Sequence, residues 1–105
     1  QDELEEPEEN ALLNRYLGDV ELYFEKPLVA ASYYRQMVNY DPTASNLNLL
    51  AYTYAEAEEY ECAYKYYKRL LKAKDPTGGT YHWMARNAVN SLSRLIICEG
   101  ESCCP

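Results

Sequence analysis

An all-α chain of about five helices is predicted by three observations. Apolar residues recur at three- and four-residue spacing through most of residues 11–97, while the two-residue alternation of a half-buried strand is nearly absent. Breakers fall in short clusters, EKP at 25–27, DP at 41–42 and DPTGG at 75–79, and they divide the periodic sequence into segments of helical length. At 105 residues the chain supports one domain with a modest core, burying roughly two thirds of its unfolded surface.

The first helix is expected from about Ala11 to Tyr23, with Asn10 as its N-cap and Leu12, Leu13, Tyr16, Leu17 and Val20 as the inward face. Pro27 suits the first turn of a second helix, since its missing N–H has no partner there anyway; that helix ends near Tyr40 and buries Ala30, Tyr33, Tyr34, Met37 and Val38. Asp41 and Pro42 stop it, and Thr43 or Ser45 caps a third helix with Leu47, Leu50, Ala51 and Tyr54 inward. A fourth helix follows an acidic turn and carries Tyr60, Ala63, Tyr64, Tyr67, Leu70 and Leu71 on its apolar side. After the DPTGG break, a fifth helix over about Thr80–Ile97 places Tyr81, Met84, Ala85, Ala88, Leu92, Leu95 and Ile96 together. The organisation is an acidic tail at 1–10, a helical domain at 11–97 and a Cys-rich segment at 98–105.

Charge and motif content narrow the function classes. The net charge is −7, and residues 1–10 alone contribute −6, through Asp2, Glu3, Glu5, Glu6, Glu8 and Glu9, leaving the remainder at −1. An acidic tail on a nearly neutral body is not a surface that tracks nucleic-acid phosphates. No apolar run is long enough to cross a bilayer, so no membrane insertion is expected. His82 is the one histidine, and neither a Gly-rich phosphate loop nor HExxH nor GxSxG is present, so no enzymatic activity and no cofactor is expected. Cys62, Cys98, Cys103 and Cys104 have no metal-site spacing and suit disulfides in an oxidising, extracellular or cell-surface setting, with reduced cytoplasmic thiols as the alternative. Adjacent Cys103 and Cys104 are the least suited to bond each other, which leaves Cys62 and Cys98 each joined to one of them, or bonds between subunits.

The interior repeats itself. Aligning the two Asp-Pro pairs gives a period of 34 residues, and Leu17-Gly18 then corresponds to Leu50-Ala51, Ala30 to Ala63 and Tyr33-Tyr34 to Tyr66-Tyr67, with a one-residue frame shift before the second Asp-Pro. The copies are LGDVELYFEKPLVAASYYRQMVNYDP and LAYTYAEAEEYECAYKYYKRLLKAKDP. This pattern resembles the tetratricopeptide repeat family, whose helical hairpin has a Leu-Gly pair and an aromatic in its first helix, an Ala and an aromatic pair in its second, and a terminal Asp-Pro. The second copy keeps the first-helix aromatic as Tyr54, where the first copy has Glu21. The resemblance implies two and a half repeats, antiparallel helical hairpins stacked as a short right-handed superhelix. It further implies an inner groove for an extended peptide, lined by Arg15, Asp19, Tyr23, Asn48, Tyr52, Glu56, His82 and Arg86.

Half of the twelve tyrosines lie between residues 52 and 67. Tyr54, Tyr60, Tyr64 and Tyr67 fall on the inward row, where a ring with a polar tip packs between helices, whereas Tyr52 and Tyr66 fall beside it. Lys65, Lys68, Arg69 and Lys72 share one face of the fourth helix, opposed in sign to the tail. A Glu61–Lys65 pair and the helix dipole account for these bases within one chain; seating the acidic tail of a second copy accounts for them between chains. With Trp83 on the polar side of the fifth helix and no second helix to complete the third repeat, the expectation is a self-associating structural subunit, a homo-oligomer or fibre. The alternative is a monomeric adaptor that binds a partner peptide in the groove.

Overall fold

A computed structural model of the chain describes residues 6–97 and Cys104. Among the described residues the protein is all-helical, with α1 Pro7–Tyr23, α2 Pro27–Tyr40, α3 Ala44–Glu56, α4 Tyr60–Leu71 and α5 Thr80–Leu92. Each helix packs on its neighbours in sequence, and α3 also reaches α5; α1 and α5 therefore stand at opposite ends of the row.

The two complete hairpins are built alike. Glu25 and Glu58, 33 residues apart, both take the left-handed conformation, with φ of 60° and 61°, in the turns that join α1 to α2 and α3 to α4. Pro27 begins α2 with no N–H to satisfy, and the Thr43 side chain caps α3 by accepting from the Asn46 N–H at 3.2 Å. The α4–α5 loop is fastened by Asp75, whose carboxylate accepts from the Thr77 N–H at 3.1 Å and from the His82 N–H at 2.8 Å. Gly78 and Gly79, with φ of 82° and 106°, supply the left-handed turn that brings α5 back across α4.

The core is centred on α2, α3 and α4, where Ala30, Tyr34, Met37, Val38, Leu47, Leu50, Ala51, Tyr54, Ala63, Tyr64, Tyr67 and Leu70 are buried as expected, joined by Ala31, Thr53, Cys62 and Tyr66. Small residues lie at the closest approaches. A Cβ at Gly18 would sit 2.7 and 2.9 Å from the Tyr34 ring atoms Cδ1 and Cζ, and nearer still to Cε1, so the Tyr34 ring occupies the space a side chain would need.

Three boundaries and faces differ from expectation. The first helix begins at Pro7 rather than Ala11 and Glu6 precedes it, while Asn10 lies within it; a proline at the first helical position opens the helix upstream of Asn10. The row Leu12, Leu13, Tyr16, Leu17 and Val20 is exposed, and α1 meets α2 through Ala11, Asn14 and Gly18 instead. The cause is that close helix contact selects the small face, with Tyr34 filling the gap over Gly18. At the other end α5 stops at Leu92, Met84 and Leu95 are exposed, and Ser93–Leu95 form turns; among the described residues no helix follows them.

Among the described residues one cross-link closes within the chain. Cys62 on α4 and Cys104 form a disulfide, with a Cα–Cα separation of 4.9 Å, and Cys104 is buried against the core. Cys98 and Cys103, together with Asp2, Glu3 and Glu5, lie outside the described residues. Lys65 Nζ donates to the Cys104 carbonyl at 3.3 Å, and Glu61 accepts from the Ile97 N–H at 3.4 Å, so each end of the expected Glu61–Lys65 pair serves the C-terminal segment instead.

Burial raises the phenol pKa of Tyr34, Tyr54 and Tyr67, reinforced for Tyr34 by its donation to the Asp19 carboxylate and for Tyr67 by the nearby Tyr52 and Glu56. Each phenol is held neutral in the folded chain at a pH where the unfolded chain loses the proton. Stability is thus full below about pH 10 and falls above it, at up to about 1.4 kcal/mol per pH unit for each tyrosine. In an alkaline titration the last phenolate absorbance should appear together with loss of helical circular dichroism. A titration in which every tyrosine ionises while the helices persist would contradict this.

Candidate functional site

The outer face of α1 is the most unusual surface of the molecule. Leu13, Tyr16, Leu17, Val20 and Phe24 recur at helical spacing on the side of α1 turned away from α2, each from 39% to 63% exposed. Leu12, Tyr23 and Leu28 extend the patch at its edges. Monomeric soluble proteins rarely leave a contiguous apolar patch of this kind uncovered, and such patches mark interaction sites. The internal repeat shows what the face lacks. Leu17 and Val20 stand 33 residues before Leu50 and Thr53, which are fully buried in α3, a helix packed on both α2 and α4, whereas no helix precedes α1 among the described residues.

A second concave feature lies between α1 and α3, which do not touch each other and are bridged by α2. One cleft, of about 470 Å³, is lined by Leu22, Glu25, Pro27, Tyr52 and Glu56. Another, of about 120 Å³, is lined by Glu8, Ala11, Leu12, Arg15, Met37, Asp41 and Asn46 at the opposite end of α1.

The expected groove residues are only partly assembled there. Tyr52 and Glu56 share the larger cleft, and Arg15 lines the smaller one while pairing with Asp19 at 3.8 Å. Asp19 accepts from the hydroxyl of buried Tyr34, which ties it to the α1–α2 contact. Asn48 is half-buried, and Tyr23 projects into solvent with its ring edge-on to Phe24 at 5.2 Å. His82 is committed to the fold, since its ring Nε2 donates to the Ala73 carbonyl at 2.7 Å while its backbone N–H meets Asp75. Arg86 is exposed on α5.

The basic row of α4 is largely occupied by its own tyrosines. Lys65 and Arg69 lie over the Tyr66 ring, each 5.4 Å from its centroid, and Lys68 lies 5.2 Å from that of Tyr64. Tyr66 in turn stacks on Tyr54 at 5.7 Å, so its ring is buried under cations rather than offered to a ligand. Cation–π contacts at this range are worth about 0.5–1 kcal/mol at partly exposed sites, enough to hold flexible side chains in place. Lys72 is exposed beyond this cluster. Glu6, Glu8 and Glu9 sit at the start of α1, where carboxylates favour the positive end of the helix dipole, and Trp83 is 62% exposed on α5.

Among the described residues no group of His, Cys, Asp and Glu side chains is arranged to hold a metal ion, and no helix is long and apolar enough to cross a membrane. Comparisons with protein-family models, with curated proteins and with solved structures returned no match. The residues missed in the sequence were those of the outer α1 row as a surface. Their signal was Gly18 in the middle of a helix, which marks the face that must approach α2 and so turns the large apolar residues outward.

Proposed function

We propose that this chain is a non-enzymatic protein–protein interaction module that associates with further copies of itself, with the outer row of α1 as one contact surface. The single observation that carries the reading is the exposure of Leu13, Tyr16, Leu17, Val20 and Phe24 in one row. The side chains of this row are about half exposed, so covering each gains roughly half of the 1.5–3 kcal/mol of a complete burial, and the row together supplies several kcal/mol toward the cost of association. Tetratricopeptide-like stacking is supported by the duplicated hairpin, with its left-handed glutamates 33 residues apart. The Cys62–Cys104 bond favours an oxidising compartment.

The variant Leu17→Glu with Val20→Glu should keep its helical signal, because both side chains are exposed, and should run at monomer mass in light scattering where the unaltered chain runs heavier. Equal masses for the two proteins would remove the α1 row from the account. The cleft beside Tyr52 and Glu56 favours the second reading, an adaptor for an extended peptide.

A further inference from the structure

Resting on self-association through α1, the charge distribution decides what covers that face. Across α1, Glu8, Glu9, Asp19 and Glu21 against Arg15 give four acids and one base, or −3. Glu9 precedes Leu13 by four residues and Glu21 follows Leu17 by four, which places carboxylates along the row itself. Pairing two α1 faces would bring Glu9 and Glu21 of one copy against those of the other, and like-charge juxtaposition is a strong device against a wrong partner.

The far end of the molecule has the opposite character. Residues 80–97 hold no acid and carry Arg86 and Arg94. Trp83, Arg86, Asn87, Asn90 and Arg94 recur at helical spacing and are all exposed, forming an outer row on α5 and the turn after it. Met84 and Leu95 add exposed apolar surface at its edge. A large aromatic flanked by arginines is the residue pattern of an interface centre. Because the helices are packed in sequence and α1 does not reach α5, the two surfaces cannot satisfy each other inside one chain.

We infer that the outer row of α1 in one copy seats on the outer row of α5 in the next, with Trp83 against Leu13, Tyr16, Leu17 and Val20 and with Arg86 and Arg94 facing the α1 carboxylates. Each contact leaves the α5 row of the first copy and the α1 row of the second free, so the contact is heterologous and propagates into a filament, or into a ring if the rotation closes. The apolar row supplies affinity, and the charges fix polarity and register. Association therefore weakens with salt, since exposed charges are screened over about 10 Å at 0.1 M ionic strength.

The test uses two full-length variants that each lose one face. The first carries Leu17→Glu and Val20→Glu; the second carries Trp83→Ala, Arg86→Glu and Arg94→Glu. Each alone should sediment as a monomer, and their mixture should give a one-to-one heterodimer that grows no further. If the second variant dimerises by itself and the mixture yields nothing new, α1 pairs with α1, and the α5 assignment falls while self-association through α1 stands. If the unaltered chain is itself monomeric, both readings fall. Should a glutamate in the α1 row unfold the chain, Arg86→Glu with Arg94→Glu mixed with Glu9→Lys with Glu21→Lys gives the same answer from the charges without altering the apolar row. The arginine variant alone should associate roughly tenfold more weakly than the unaltered chain, and the mixture should recover the loss; no recovery overturns the inference.

Discussion

Replacing Cys62 and Cys104 together by alanine should lower the unfolding free energy by about 4 kcal/mol, on the loop-entropy account of a cross-link of this span. The bond joins residues 42 apart and closes a loop containing most of α4, the Asp75 turn and all of α5. Opening it returns that length of chain to full freedom in the unfolded state. It also releases the Cys104 carbonyl from Lys65, and with it the one described residue of the C-terminal segment that is buried in the core. A domain of this size shifts its midpoint by about 4–8 °C for each kcal/mol, so the loss should read as roughly 20 °C in thermal unfolding. The urea midpoint should fall with it. A change below about 1 kcal/mol would mean that α5 and its loop are restrained by packing alone, since a cross-link of this span should contribute several times as much.

Gly18→Ala should destabilise the protein by about 1–3 kcal/mol, the usual cost of forcing an extra methyl group into a filled site. In an open helical position the same change would stabilise by about 0.8–1 kcal/mol, because glycine is the poorer helix former. The sign is decided by Tyr34, whose ring atoms lie within 2.9 Å of the new Cβ and which is fully buried with its hydroxyl bound to Asp19. The ring cannot retreat without breaking that bond or displacing α2. In a Tyr34→Leu background the penalty should shrink or reverse, and the double-mutant cycle isolates the contact. A neutral Gly18→Ala in the unaltered background would show that α1 and α2 are packed less closely than the structure has them.

The legible and illegible parts of the sequence differ for physical reasons. α2, α3 and α4 were largely readable because each has neighbours on both sides: Leu47, Leu50, Ala51 and Tyr54 of α3 are all buried, while Tyr33, Tyr60 and Leu71 of the expected rows are half-buried. α1 has neighbours on one side only, and it offers two faces to α2, one of small residues and one of large apolar residues. A reading by side-chain size selects the large row, whereas close contact with α2 selects Ala11, Asn14 and Gly18. Tyr66 looked peripheral because its burial depends on Tyr54 stacking beneath it and on Lys65 and Arg69 crossing above it, contacts between and along helices that periodicity does not encode. The basic row on α4 was visible, but it was assigned to a Glu61–Lys65 pair, the helix dipole or a second copy's tail, whereas the structure lays Lys68 over Tyr64 and Arg69 over Tyr66, four and three residues away. Of the surfaces discussed, the α5 row around Trp83 was legible as exposed, while its counterpart on α1 emerged only once the core face was known.

Sedimentation equilibrium of the unaltered chain, from low micromolar to millimolar concentration at low and at high salt, bears most directly on the claim that this is a self-associating module. The predicted result is an average mass that rises with concentration well beyond the 12.2 kDa of one chain and rises less steeply in high salt. A mass that stays at 12.2 kDa over the whole range would contradict it.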